Sequence, residues 1–237
     1  MRYLSEWVLL LAMVFILLPS SAIAQDLTAI QESLNYGAKV APQDIDEGQA
    51  LSPFYIGPEF AFVDLNNNGI IEPEEPVYVH IDPTISRVSE NDVRITPFGY
   101  FSPGSKVEAT DPDHGKEIKK FGIGRFPAAE LRYFDVDGDK AYSIQDPVYL
   151  DLNPGFVTAG DVRLTGYESY AAGTRVRDSD QDSDKPTLTL PGMLSFYNTD
   201  GNINNGGWAI YSSDDRIYVD TQYPFYSVTP NDIRMSS

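Results

Sequence analysis

Two stretches decide the fold: DLNNNGIIEPEEPVYVHID (residues 64–82) and DVDGDKAYSIQDPVYLDLN (residues 135–153). They align without a gap. Each opens on an Asp/Asn-rich loop and ends in an alternating apolar run. In the first run Val77, Val79 and Ile81 share one face, and Tyr78, His80 and Asp82 the other. In the second, Val148, Leu150 and Leu152 stand opposite Tyr149, Asp151 and Asn153. A period of two with β-branched residues predicts a half-buried strand. EFAFVD (59–64) and LRYFDVD (131–137) supply strands that lead into the loops.

Working outward, a second phrase follows each copy: VSENDVRIT (88–96) and VTAGDVRLT (157–165). A third copy, VTPNDIRMS (228–236), almost ends the chain. A further phrase follows only the first two, PFGYFSPGSKV (97–107) and GYESYAAGTRV (166–176). Three related units result, at 58–128, 129–192 and 193–237, the last divergent. Its strand RIYVD (216–220) places Ile217 and Val219 inward, and an insertion around Gly206, Gly207 and Trp208 separates that strand from its loop. The turns Ser89 to Asp92, Thr158 to Asp161 and Thr229 to Asp232 read as one short helical turn before a strand. With 18 Gly and 17 Pro, the expected class is mainly β: three repeated strand–loop–strand units, sandwich-like, with few short helical turns.

Residues 1–24 read as a signal peptide: Arg2, an apolar run over 7–18, Pro19, then Ala22-Ile23-Ala24. The run of ~12 residues is too short for a membrane span of ~20. The chain is therefore expected to be secreted, free or held at a cell surface, with no membrane span once the signal is cleaved. There is no cysteine, so neither disulfides nor a lipidated N-terminal cysteine exist. A bound metal is the other common staple of such chains. Acidic residues number 35 against 17 basic, a net charge of −18, which repels nucleic acid and anionic membranes and attracts cations.

The loop from Asp64 to Glu75 meets the pattern D-x-[DN]-x-[DN]-G-x₅-E. It resembles the EF-hand and dockerin-type calcium loop. The resemblance implies side-chain oxygens from Asp64, Asn66 and Asn68, the carbonyl of Ile70, Glu72 directly or through water, and both oxygens of Glu75. Gly69 sits where the chain turns sharply. In the second loop the matching residues are Asp135, Asp137, Asp139, Ala141, Ser143 and Asp146, with Lys140 in place of the glycine. The third loop offers Asn198, Asp200 and Asn202 and lacks an acid at the right distance, unless Asp214 or Asp215 returns across the insertion. Ca2+ is the implied ion. The likeness covers about twelve residues per loop. Pro76 and Pro147 follow the first two loops where an EF-hand continues as a helix, so loop chemistry carries over and dockerin function does not.

Asp178, Asp180, Asp182 and Asp184, with Asp111 and Asp113 in the matching place, read as a solvated acidic loop. His80 reads as a surface strand residue. Tyr78, Tyr149 and Tyr218 read as packing between units, or as a sugar-binding platform. No nucleophile or general acid stands out, so the chain is not expected to be an enzyme. The expected function is a calcium-binding extracellular or cell-surface structural protein. The alternative is a secreted binding module for carbohydrate or a partner protein. Residues 25–57 open with a weak helical pattern (Leu27, Ile30, Leu34) and then read as an extended arm. Unit three lacks a final phrase, which leaves a sheet edge open. An arm from a neighbouring copy would fill that edge and build an oligomer or filament, unless the arm folds back on its own chain.

Overall fold

Each apolar run of the repeat becomes the second strand of a meander, because its β-branched residues fill a pleated surface on one side. The computed structural model describes residues 35–54, 57–121, 130–222 and 227–236. The signal segment and the pattern at Leu27, Ile30 and Leu34 lie outside them. Among the described residues no helix is long and apolar enough to cross a membrane.

The strands are β1 (Ser52–Pro53), β2 (Glu59–Phe62), β3 (Val77–His80), β4 (Val93–Arg94), β5 (Lys119–Lys120), β6 (Glu130–Tyr133), β7 (Val148–Asp151), β8 (Val162–Arg163), β9 (Leu188–Thr189), β10 (Met193–Tyr197), β11 (Arg216–Asp220) and β12 (Ile233–Arg234). They form three four-stranded sheets, β4-β3-β2-β5, β8-β7-β6-β9 and β12-β11-β10-β1. All pairings are antiparallel, and Phe60↔Val79, Leu131↔Leu150 and Leu194↔Val219 occupy the same register position. The expected mainly β class holds. The Ser/Thr-x-x-Asp segments are single turns, with Asp92 N bonded to Ser89 O at 3.2 Å, and no helix occurs among the described residues.

The sheets share one apolar cluster. Val77, Val79 and Ile95 meet Val148, Leu150 and Leu164, and Ile217, Val219 and Met235. Instead of the two facing layers of a sandwich, three sheets thus pack on a common centre, within one compact body from Asn35 onward. The opposite face of each sheet is also covered. Tyr78 lies with Val88, Val107 and Ile118; Tyr149 with Val157 and Val176; Tyr218 with Val40, Leu51 and Val228. β3, β7 and β11 are therefore buried on both faces, not half-buried. The three tyrosines neither bridge units nor form an open platform, and His80 is wholly buried.

The arm is not extended. Residues 35–54 are the phrase that unit three lacks. Gly37 N donates to Arg234 O at 2.7 Å, as Gly104 N does to Arg94 O and Gly173 N to Arg163 O. β1 pairs with β10 as β5 pairs with β2 and β9 with β6. The chain's own N-terminal side thus closes the edge expected to be open, so the edge does not wait for another copy. Gly37, Gly104 and Gly173 all have positive φ (74°, 80° and 79°). A Cβ on Gly37 would stand 2.3 Å from Ala172, on Gly104 2.5 Å from Tyr36, and on Gly173 2.3 Å from Pro103. Each tip therefore presses on the next unit, and only glycine allows both the backbone angle and the approach.

Candidate metal centres

The loops between β2 and β3 and between β6 and β7 are built by Asp, Asn and Glu side chains that accept backbone amides, as Asp and Asn habitually do in turns. In loop one, Asp64 accepts Asn68 N (3.1 Å) and Gly69 N (2.9 Å), Asn66 accepts Asn68 N, and Asn68 accepts Ile70 N. The Nδ2 groups of Asn66 and Asn68 both reach Glu72, at 2.8 Å. Glu75 returns to the loop start, accepting Leu65 N (2.8 Å) and Glu72 N (3.0 Å). A chain of hydrogen bonds therefore links loop positions one, five, three, nine and twelve.

Loop two repeats this frame. Asp135 accepts Gly138 N (2.7 Å) and Lys140 N (2.8 Å), and Asp146 accepts Val136 N (2.9 Å) and Ser143 N (2.7 Å). One oxygen from each of Asp135, Asp137 and Asp139 lies within 4.8 Å of the others. Two oxygens on opposite sides of one ion at ~2.4 Å would stand about that far apart, so the three aspartates can hold a metal ion. The electrostatics agree with a shared site. Asp137 is drawn down by the Asp139 amide, yet desolvation and the Asp139 and Asp135 charges outweigh that and raise it. Asp135 is desolvated, yet the amides of Lys140 and Gly138 hold it below the usual carboxylate range.

Backbone angles match as well. Loop one is left-handed at Asn67 and Gly69, and loop two at Gly138 and Lys140 (φ 66°). A left-handed lysine costs about 1–2 kcal/mol. Part of that gain is lost when glycine frees the unfolded chain. Lys140→Gly is therefore expected to raise Tm by a few degrees, read by circular dichroism. An unchanged or lower Tm would show that Lys140 carries no strain.

Loop three departs from its expected form. Asp215 does return across the insertion, buried, accepting Thr199 N at 2.7 Å and Ser212 N at 2.8 Å, in the place of Glu75 and Asp146. Asn198 accepts Gly201 N and Asp200 accepts Asn202 N. Gly201 supplies the left-handed residue at position four, but position six, Ile203, does not turn the same way. Asn202 instead lends its carbonyl to Ile210 N of the insertion, at 2.9 Å.

Sequence reasoning missed the groups beneath the sheets. Asp111–Asp113 and Asp180–Asp182 are not a solvated loop. Arg94 donates to Asp113 through Nε (2.8 Å) and Nη2 (2.7 Å) and to Asp111 (2.7 Å), while Tyr78 donates its hydroxyl to Asp113. Arg163 does the same with Asp182 and Asp180, joined by Tyr149. Arg234 finds its pair in the N-terminal segment, Asp46 (2.8 Å) and Asp44 (2.8 Å), joined by Tyr218. Asp178 and Asp184 remain exposed. The recurrence of Arg with an Asp-x-Asp phrase was the available signal.

Three further buried groups set a pH response. Desolvation, then the Asp151 charge, pushes Asp161 up to about 7 against the amides of Leu152 and Thr158. Desolvation, then the Asp232 charge, pushes Asp220 up to about 6. Burial lowers His80, but its bond to Asp92 (2.9 Å) and that residue's charge outweigh burial and raise it. A group raised by folding gives stability that is full below its unfolded pKa and lost as pH rises through its folded value. The carboxyls lose theirs between about pH 4 and 7, and His80 above about 6.5. Lys39, pushed down by burial to about 7, and Lys106, to about 8, act oppositely, adding stability above those values. Metal-free protein is thus expected to melt higher at pH 5 than at pH 7. A melt that rises across that interval would contradict the assignment.

Comparison with protein-family models, curated proteins and solved structures finds no match to this chain.

Proposed function

We propose that this chain is a calcium-binding extracellular structural protein, in which calcium does for the loops what disulfides do in other secreted domains. The observation that carries the reading is the cluster of Asp135, Asp137 and Asp139 in loop two, one oxygen from each within 4.8 Å of the others, supported by the matching amide-bonded frame of loop one. Loop one would use Asp64, Asn66, Asn68, the Ile70 carbonyl, Glu72 and Glu75. Loop two would use Asp135, Asp137, Asp139, the Ala141 carbonyl, Ser143 and Asp146. Such all-oxygen sets suit a hard cation that takes six to eight ligands, and the backbone frame is already drawn tight around them. Export rests on the N-terminal 24 residues. The binding-module alternative loses its tyrosine platform to burial.

A ligand that binds only the folded state stabilises it by ~2.7 kcal/mol at a hundredfold excess over Kd. Chelator is expected to lower Tm by several degrees and added calcium to restore it. Titration calorimetry should count two equivalents in the range of roughly 10⁻⁴ M, with Asp64→Ala and Asp135→Ala each removing one. A melt indifferent to calcium would sink the reading.

A further inference from the structure

A ring of cations joins the three units, and each cation ends on a neighbour's loop. Lys39, Lys106 and Arg175 hold one equivalent position, bridged to Ile233, Val93 and Val162 of their own sheets. The buried arginine of the same unit braces each. Arg234, Arg94 and Arg163 donate Nη1 to the carbonyls of Lys39 (3.2 Å), Lys106 (2.9 Å) and Arg175 (3.0 Å). From there the side chains cross over. Lys39 Nζ donates to the carbonyls of Ser143 (2.8 Å) and Asp146. Lys106 Nζ donates to those of Ser213 (2.6 Å) and Asp215. Arg175 Nη2 donates to that of Glu75 at 2.7 Å. Unit three grips loop two, unit two grips loop one, and unit one grips loop three.

The residue at the eighth loop position changes with the cation. The lysines lie over the rings of Tyr142 (4.5 Å) and Tyr211 (5.0 Å). Opposite Arg175 the loop carries Ile71. Arg175 has a second hand, Nη1, which donates to Gly160 O in its own unit at 2.8 Å. Lys39 makes no bond to Asn231, which holds the matching place, and the Tyr142 hydroxyl donates to Asn231 O instead, at 3.0 Å. Arg175 alone thus serves two places, Glu75 O and Gly160 O, whose counterparts Asp146 O and Asn231 O are divided between Lys39 and Tyr142. At the Lys106 junction the Tyr211 hydroxyl is buried without a partner.

We propose that Lys39 and Arg175 are positioning residues for the metal loops, so that each loop's affinity depends on docking of the neighbouring unit. The inference rests on the calcium reading above. The gripped carbonyls belong to the turn that carries the twelfth ligand, closed by Asp146 N to Ser143 O (3.3 Å) and Glu75 N to Glu72 O (3.0 Å). Held there, Asp146 and Glu75 stay aimed at their loops. A bare charge would act the other way. A cation beside a calcium site repels the ion, so its removal would tighten binding. The two accounts differ in sign.

The experiment is calcium titration calorimetry of the full chain with one loop silenced. In the Asp64→Ala background only loop two reports. There Lys39→Met is expected to weaken binding about tenfold, as loss of an outer-shell partner does, while Arg175→Met leaves it unchanged. In the Asp135→Ala background the pattern reverses. Arg175→Lys, which gives up the bond to Gly160, weakens loop one, and adding Ile71→Tyr restores it. If Lys39→Met does not fold, Lys39→Gln keeps one donor and should give a smaller loss in loop two alone. Tighter binding, an equal change in both loops, or no rescue by Ile71→Tyr overturns the inference while calcium binding stands. Absence of calcium uptake by the unmutated chain overturns the calcium reading and the coupling together.

Discussion

A chain that starts at residue 58 will not hold its third sheet. It loses β1, the Gly37 and Val40 amides that bond to Arg234 O and Asp232 O, and both carboxylates of Arg234. Arg234 is buried to within 1 % of its surface, so the guanidinium would be left charged, dry and unpaired. Removing one partner of a buried ion pair costs about 3–5 kcal/mol. Here two go together, and Val40 and Leu51 leave the cover of Tyr218 as well. That loss is comparable with the whole stability of about 5–15 kcal/mol typical of a domain. Urea unfolding of residues 58–237 is expected to show no cooperative transition, or one far below that of residues 25–237. A synthetic peptide of residues 35–54 should restore it in trans, since it carries Asp44, Asp46 and β1. In the full chain Asp46→Ala should cost about 3–5 kcal/mol by the same argument. A cooperative melt of 58–237 within a few degrees of the longer chain would show that the segment is dispensable.

That closure explains which parts of the fold the sequence reveals. The strands are legible because Val77, Val79, Val148 and Leu150 repeat at period two against a common core. Their outer faces are not. Tyr78, Arg94 and Asp113 look polar, and a polar outer face normally meets water. It is buried here because the phrase after the third strand folds back over it, bringing an acid pair to each arginine. Local pattern cannot show this, since the partners stand well apart in sequence, Arg94 from Asp113 and, at the extreme, Arg234 from Asp46. Comparison between units does show it. Gly37, Lys39, Val40, Asp44 and Asp46 keep the spacing of Gly104, Lys106, Val107, Asp111 and Asp113. The missing phrase of unit three was present at the other end of the chain. The turn frame of loops one and two was legible in sequence, because Asp and Asn side chains accept amides at fixed, local offsets. Asp215 was hard to place because the insertion lengthens its loop beyond the twelve-residue template.

Asp182→Ala should be among the most destabilising single substitutions in the chain, and Asp178→Ala should be nearly silent. Both belong to the acidic run at 178–184, so the contrast depends on burial alone. Asp182 is wholly buried and accepts Arg163 Nε (2.7 Å), Arg163 Nη2 (2.6 Å) and the Tyr149 hydroxyl (2.9 Å). Its loss leaves Arg163 with Asp180 and leaves the Tyr149 hydroxyl dry and unbonded. A buried pair broken from one side costs about 3–5 kcal/mol, and an orphaned hydroxyl about 1–3 kcal/mol more if the two add. Asp178 is exposed, and surface changes of this kind stay within about 0.5 kcal/mol. Urea unfolding of both variants in saturating calcium reads the difference. The calcium count of the folded variants separates this account from a metal site in the same run. Two equivalents should remain in each, because the run's buried oxygens already serve Arg163. Pairing the loss with its partner sharpens the test: Arg163→Met with Asp182→Leu removes both charges and is expected to cost less than Asp182→Ala alone. A double variant as unstable as the sum of its parts would mean that Arg163 and Asp182 do not act as a pair.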